Sequence, residues 1–237
     1  MIVLSVDSST EAASCAVMDE NRLLGEITFN YKKQHSVILM DIIDKLLNNV
    51  ALDISEVEGF VISMGPGSFT GLRIGLATIK GLAQGTGKPF VGVSTLDALA
   101  YNMAYTSGIV CPILDALRGN VYTALYKFEG ENLVKIKDYM AISLEELIAM
   151  LEAEGQPATF IGDAVPLYRE KIMEVLPTAR ISPVHLNLAR AAALGELGIK
   201  ALKAGHQEDI NTFAPVYLRK SQAEREYDKK VGNTNND

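Results

Sequence analysis

Short apolar runs separated by polar turns open the chain, and they predict strands. Ile2 to Val6 fits a central strand, Ala12 to Met18 a second, and Leu23 to Phe29 a third beyond the polar turn Asp19-Glu20-Asn21. At His35 the period changes. Val37, Ile38, Ile42, Ile43, Leu46 and Leu47 recur at helical spacing, and Asn48-Asn49 can close that helix. Gly59 to Met64 reads as a buried strand, followed by a glycine-rich turn and by Leu76 to Ala83, again helically spaced. Pro89 to Val93 is a further strand, and Ser94-Thr95 can cap a helix over Leu96 to Ala104.

The pattern then restarts. Ile109 to Leu114 is apolar and ends at Asp115, a short loop passes through Gly119, and strands follow over Val121 to Phe128 and Leu133 to Lys137. Ser143 caps a helix over Leu144 to Ala153, with Glu146 three residues on; strand Ala158 to Gly162 and helix Val165 to Val175 continue the echo. Two domains of related topology are therefore expected, 1–105 and 106–220, each a mixed sheet flanked by helices (an α/β fold). Leu188 to Ala204 reads as one long helix returning to the first domain, and 221–237 as a frayed tail.

With 237 residues, 48% of them hydrophobic and 22% charged, the chain can bury a sizeable core. Its formal charge of -7 bears on function, because a chain that grips a nucleic-acid backbone by itself normally shows a basic surplus. Any role with RNA is expected to be indirect. Cys15 and Cys111 both fall in strand-like runs, which suits buried, reduced thiols and supports no metal cluster. The start MIVLSVDSST lacks a basic leader, and no apolar run reaches membrane-spanning length. A cytoplasmic location is the expectation.

Gly65-Pro66-Gly67-Ser68-Phe69-Thr70-Gly71-Leu72-Arg73-Ile74-Gly75 carries the most specific chemistry. Strand, glycine turn and helix start aim backbone N–H groups and the positive end of a helix dipole at one spot. Ser68 and Thr70 are natural capping residues there, and Pro66 stiffens the turn. Two readings stand: an anion cradle, or a tight connection whose glycines only satisfy backbone geometry.

This motif, with Asp7-Ser8-Ser9-Thr10 at the end of the first strand and PVYLR at 215 to 219, resembles the TsaB (YeaZ) family over essentially the whole chain. The resemblance implies the actin-like fold of sugar kinases and heat-shock ATPases. It implies a non-catalytic subunit that binds a metal-dependent, TsaD-type threonylcarbamoyl transferase and helps recruit a TsaE-type P-loop ATPase. The product is threonylcarbamoyladenosine next to the anticodon of tRNA, and homodimers are expected when the partner is absent. In actin-like ATPases the Asp7 position serves Mg-nucleotide phosphates. Asp7, Ser8, Ser9, Thr10, Asp115 and Arg118 are thus the expected remnant of a nucleotide site, and the plain alternative for Asp7 and Ser8 is a satisfied turn. ADP or ATP with magnesium at or near the subunit boundary is the cofactor this implies. The family's usual Asp-Thr-Ser is Asp7-Ser8-Ser9 here, and its Asp-Ala-Arg is Asp115-Ala116-Leu117, with Arg118 displaced by one place.

Other chemistries find too few residues. The catalytic paralogue in the family's pathway binds metal through two histidines four apart on one helix; here His35 is followed at that distance by Leu39. In Gly67-Ser68-Phe69-Thr70-Gly71 phenylalanine holds the central place a nucleophile would need. What remains is a surface. The helix from His35 has more apolar residues than one stripe can bury, and the helix from Gly71 carries Gly71, Gly75, Thr78, Gly81 and Gly85. By resemblance these helices form the partner face, through His35, Ile38, Leu39, Ile42, Gly71, Arg73, Gly75 and Thr78. Close packing on the chain's own sheet is the alternative for the glycines. An independent small-molecule kinase or ATPase of the same superfamily is the competing function.

Overall fold

The computed structural model describes residues 1–30 and 35–219, so the expected tail over 221–237 lies outside the described residues. The first sheet has the order β3-β2-β1-β4-β5. Strands β1 (Val3–Asp7), β2 (Ala13–Met18) and β3 (Leu23–Phe29) form an antiparallel meander. Strands β4 (Gly59–Ser63) and β5 (Phe90–Val93) add in parallel, through crossover helices α1 (His35–Asn49) and α2 (Phe69–Thr86). Every residue of β1, β2 and β4 is buried, because helices cover both faces. Leu4, Val6, Cys15, Phe60 and Ile62 point to α1 and α2, while Val3, Val61 and Val91 point to the late helix α6 (Ala191–Lys203).

The second half repeats this plan. Its sheet has the order β10-β9-β6-β7-β8. The strands are β6 (Ile109–Asp115), β7 (Asn120–Glu129), β8 (Asn132–Ser143), β9 (Ala158–Ile161) and β10 (Arg180–Ile181). Helices α4 (Leu144–Glu154) and α5 (Val165–Val175) cover one face. The other face packs on α3 (Thr95–Tyr101), the last helix of the first half. In return α6 packs on β1, β2, β4 and β5, so each half lends its final helix to the other half's sheet.

Three boundaries depart from the sequence reading. β8 runs six residues beyond Lys137, because the long partner β7 continues the ladder as far as Asn120 opposite Ser143. The helix expected from Leu188 begins at Ala191 instead. Ser14 Oγ accepts from the Ala191 amide at 3.0 Å and Glu26 Oε1 from the Ala192 amide at 3.0 Å, and Glu26 also pairs with Arg190. Those caps come from β2 and β3, so no local pattern could reveal them. The two-residue strand β10 was not anticipated. Beyond α6 the chain runs back along the first half: the Glu208 amide donates to Phe90 O at 2.9 Å and the Val216 amide to Met64 O at 2.8 Å.

Candidate functional site

In the first half, the loop after β1 is sealed. Asp7, Ser8 and Ser9 are at most 1% exposed. Asp7 Oδ1 accepts from the Ser9 amide (2.9 Å) and hydroxyl (2.6 Å), while the buried Oδ2 has no hydrogen-bond partner among the described residues. Burial pushes the Asp7 carboxyl above the usual range, against the pull of the Ser9 hydrogen bonds. Ser8 Oγ donates to Gly71 O at 2.9 Å, and Thr10 Oγ1 accepts from the Ala12 amide at 3.2 Å.

The glycine turn is the lid on this loop. The Ser68 amide donates to Ser9 O at 2.6 Å, and Ser68 Oγ caps α2 by accepting from the Gly71 amide at 3.2 Å. A Cβ on Gly67 would collide with Ser9 O, one on Gly71 with Ser8 O, and one on Gly75 with Ser8 Oγ. Those three glycines therefore exist for close approach of α2 to residues 8 and 9. The Ser8 and Ser9 hydroxyls and the amides of Ser9, Ser68 and Gly71 donate within the chain. Sealed in this way, Asp7, Ser8 and Ser9 do not fit a nucleotide phosphate.

The matching loop of the second half is open. Asp115 Oδ1 accepts from the Leu117 amide at 2.8 Å, and Asp163 Oδ1 from the Asp115 amide at 3.0 Å. Leu117, Arg118 and Gly119 have φ of 63°, 59° and 76°, three left-handed residues in a row, with both side chains turned to solvent. Arg219 donates to the carbonyls of Ala116 and Leu117. Burial first, and then the charges of Asp115 and Glu11, raise the pKa of Asp163 to about 6 against two backbone hydrogen bonds. Glu11 belongs to the first loop, so acids of both halves meet at this seam.

On the outer helices, the structure sorts the expected partner residues. Leu39 and Ile42 lie in the chain's own core, 1% and 3% exposed, because α1 seats that stripe on the sheet. Gly71 and Gly75 face inward against Ser8, as above. Ile38 is half-buried against the core, and His35 Nε2 lies 3.2 Å from Ala12 O. Thr78 donates to Ile74 O at 3.0 Å within its own helix. Arg73 is exposed, stacked on Phe69 at 3.9 Å and donating to Tyr217 Oη at 3.1 Å. The apolar and small residues facing outward are Val37 and Met40 on α1 and Ala77, Gly81 and Gly85 on α2, set among polar neighbours such as Asp41, Lys45, Arg73 and Gln84. A Cβ at Gly81 or Gly85 would meet nothing within 4 Å. The four-residue spacing of Ala77, Gly81 and Gly85 was the signal that marks this ridge.

Among the described residues no three of His, Cys, Asp and Glu are placed to hold a metal ion, and no helix is long and apolar enough to cross a membrane. Burial pushes the thiols of Cys15 and Cys111 up to about 12, so neither is a nucleophile near neutral pH.

The comparisons agree with this architecture. The family model of tRNA N6-adenosine threonylcarbamoyltransferase, TsaD, matches residues 22–227. The tRNA threonylcarbamoyladenosine biosynthesis protein TsaB of Bacillus subtilis (strain 168) is 32% identical over 228 residues, 96% of this chain and 98% of that protein. The structure of YeaZ from Pseudomonas aeruginosa superposes with a TM-score of 0.77 at 25% identity, covering 92% of this chain and 99% of its own. A ROK hexokinase from Thermus thermophilus gives a TM-score of 0.50 at 11% identity over 86% of this chain and 100% of its own, a likeness of fold alone. The twice-repeated mixed sheet is thus the actin-like, sugar-kinase-like fold, and the chain belongs to the TsaB (YeaZ) family.

Proposed function

We propose that the chain serves tRNA threonylcarbamoyladenosine biosynthesis as a non-catalytic subunit, docking the TsaD-type transferase on the outer face of α1 and α2. The observation that carries this is the pair Gly81 and Gly85. Each lies inside an 18-residue helix, faces outward, and has open space where a side chain would be. A glycine there costs about 1 kcal/mol of helix stability against alanine. Among the described residues nothing needs that sacrifice. A second helix laid across the ridge does, because only glycine lets two backbones approach so closely. Val37 and Met40, 70% and 53% exposed on the neighbouring helix, supply the apolar area such a contact buries.

The named function of the Bacillus subtilis relative supports the pathway, and the match to the TsaD family model supports a partner of like fold. The charge of -7 fits a subunit that meets tRNA through its partner. In the partner's absence the same ridge pairs with a second copy of the chain. Nucleotide and magnesium at the boundary would be held by the partner's residues, since the loop after β1 is closed. Recruitment of the TsaE-type ATPase then depends on the assembled pair.

The test mixes the purified chain with its transferase and compares Met40→Glu and Gly81→Leu with the unmodified protein. Binding should weaken at least about tenfold in both variants, roughly 1.4 kcal/mol, with a melting temperature unchanged in Met40→Glu and not lowered in Gly81→Leu. Undiminished binding by both would sink the reading. Leu39→Glu and Ile42→Glu are unsuitable, since both side chains are core.

A further inference from the structure

The halves meet a second time away from the α1–α2 face, and there they leave a cavity of about 310 Å³ open to solvent. Its walls are Met64, Val93, Leu133 and Leu197, with one carboxylate, Asp97, and one ammonium, Lys135. We propose that this cavity binds a free aliphatic amino acid, its ammonium on Asp97, its carboxylate on Lys135 and its side chain against the apolar walls.

Asp97 is held in place before any ligand arrives. It sits in the first turn of α3, which is wedged between the two sheets. Its Oδ1 accepts from Tyr126 Oη at 2.6 Å and Tyr139 Oη at 3.0 Å, and its Oδ2 from Tyr139 Oη at 2.9 Å. Only two hydroxyl protons are involved, that of Tyr139 being shared between both oxygens, so with about four acceptor positions the carboxylate can still accept a further N–H donor. Burial raises the pKa of both tyrosine hydroxyls, which keeps them donors rather than competing anions.

Lys135 is the counterpart. Its Nζ lies 3.4 Å over the Tyr139 ring and 3.2 Å from Asp138 Oδ1. An ammonium has three donors, so donors remain for a carboxylate after the Asp138 bond. Partial burial works against its charge, but Tyr139 and Asp97 outweigh that and hold it protonated. Among the described residues its ion pair is with Asp138, not with Asp97. Tyr139 stands between the two opposite charges, its hydroxyl on Asp97 and its ring under Lys135, and both charges border the cavity, where one guest can reach each of them.

Charge and size together select the class. A simple amine would meet Lys135 as a like charge, and a simple acid would meet Asp97, whereas a zwitterion satisfies both. The volume stands at the bottom of the range of ligand sites, about 300 to 1,000 Å³, which suits an amino acid and excludes a nucleotide.

Ligand-observed NMR and calorimetry on the free full chain, with L-valine and L-leucine as probes, test this independently of any partner. Saturable binding at millimolar concentration is expected. It should weaken at least about tenfold for 4-methylpentanoic acid, for 3-methylbutan-1-amine, and for L-leucine against Lys135→Gln. Lys135 is partly solvent-exposed, so Lys135→Gln should keep its melting temperature, whereas Asp97→Asn also disturbs the tyrosine contacts. No saturable binding of either amino acid overturns the proposal. Equal binding by the two single-charge analogues, or by Lys135→Gln, overturns it as well.

Discussion

The two halves run through the same elements in the same order, yet they finish their first strands in opposite ways. After β1, Asp7 and its serines are sealed beneath Gly67, Gly71 and Gly75. After β6, Asp115 leads into an exposed loop of three left-handed residues, with Asp163 beside it at a raised pKa. Duplicated topology has therefore kept the positions of the strand-end carboxylates and not their surroundings. Sealing satisfies the first loop's donors internally. Opening leaves Asp163 under the charges of Asp115 and Glu11, both of which raise its pKa. The sealed first loop presents no open cradle to a phosphate, and the proposed function is therefore placed on the outer helices rather than on that strand end.

The comparison predicts very unequal costs for one added methyl group. Gly71→Ala would drive a Cβ into the Ser8 carbonyl oxygen, a backbone atom fixed in β1's own loop. The loss should exceed about 4 kcal/mol or abolish folding. Gly119→Ala in the open loop meets nothing within 4 Å and pays only for its φ of 76°. About 1 kcal/mol is expected there. Urea melts of the two variants decide the matter, and similar losses would mean that the loops are not sealed and open as described.

A second contrast is in pH. Asp163 has its pKa raised from 3.8 to about 6 in the folded chain. The folded state therefore binds the proton more tightly. Stability from this group is fully present below pH 3.8 and is lost as pH rises through 6. Asp163→Asn keeps an acceptor for the Asp115 amide and removes the charge. At pH 7.5 it should be more stable by about 1 to 3 kcal/mol, and that gain should shrink toward pH 4. A gain independent of pH would place the effect elsewhere than in the buried charge.

Much of this was legible in the chain. Apolar runs gave the strands, and the restart at Ile109 announced the repeat, because sheets buried on both faces force near-continuous apolar segments. The functional reading was harder, for physical reasons. A strand, a glycine turn and a helix start look alike whether the glycines admit a phosphate or admit the chain's own Ser8 and Ser9. Only the fold places those residues under Gly67 and Gly71. Periodicity showed that α1 is too apolar for one stripe. It could not say that Leu39 and Ile42 turn inward while Val37 and Met40 stay outside. The cavity at Asp97 and Lys135 was invisible, since its charges lie 38 residues apart on an α3–β8 contact between the halves.

The smallest expected effect is also the one that separates packing from partnership. Gly75 and Gly81 sit on the same helix, six residues apart, and only Gly75 is held by a neighbour within the chain. Gly81→Ala and Gly85→Ala should therefore each stabilise the free chain, by about 0.5 to 1 kcal/mol, through helix propensity and a less flexible unfolded state. The same substitutions should weaken binding to the transferase, because each methyl group stands where the second backbone would lie. A chain that is more stable alone and poorer in complex is the signature of glycines kept for a partner. Thermal melts and titration on the same preparations measure both quantities. Were Gly81→Ala to stabilise the chain and leave binding untouched, the ridge would be an unexplained weakness of α2, and the contact would have to lie on α1 alone.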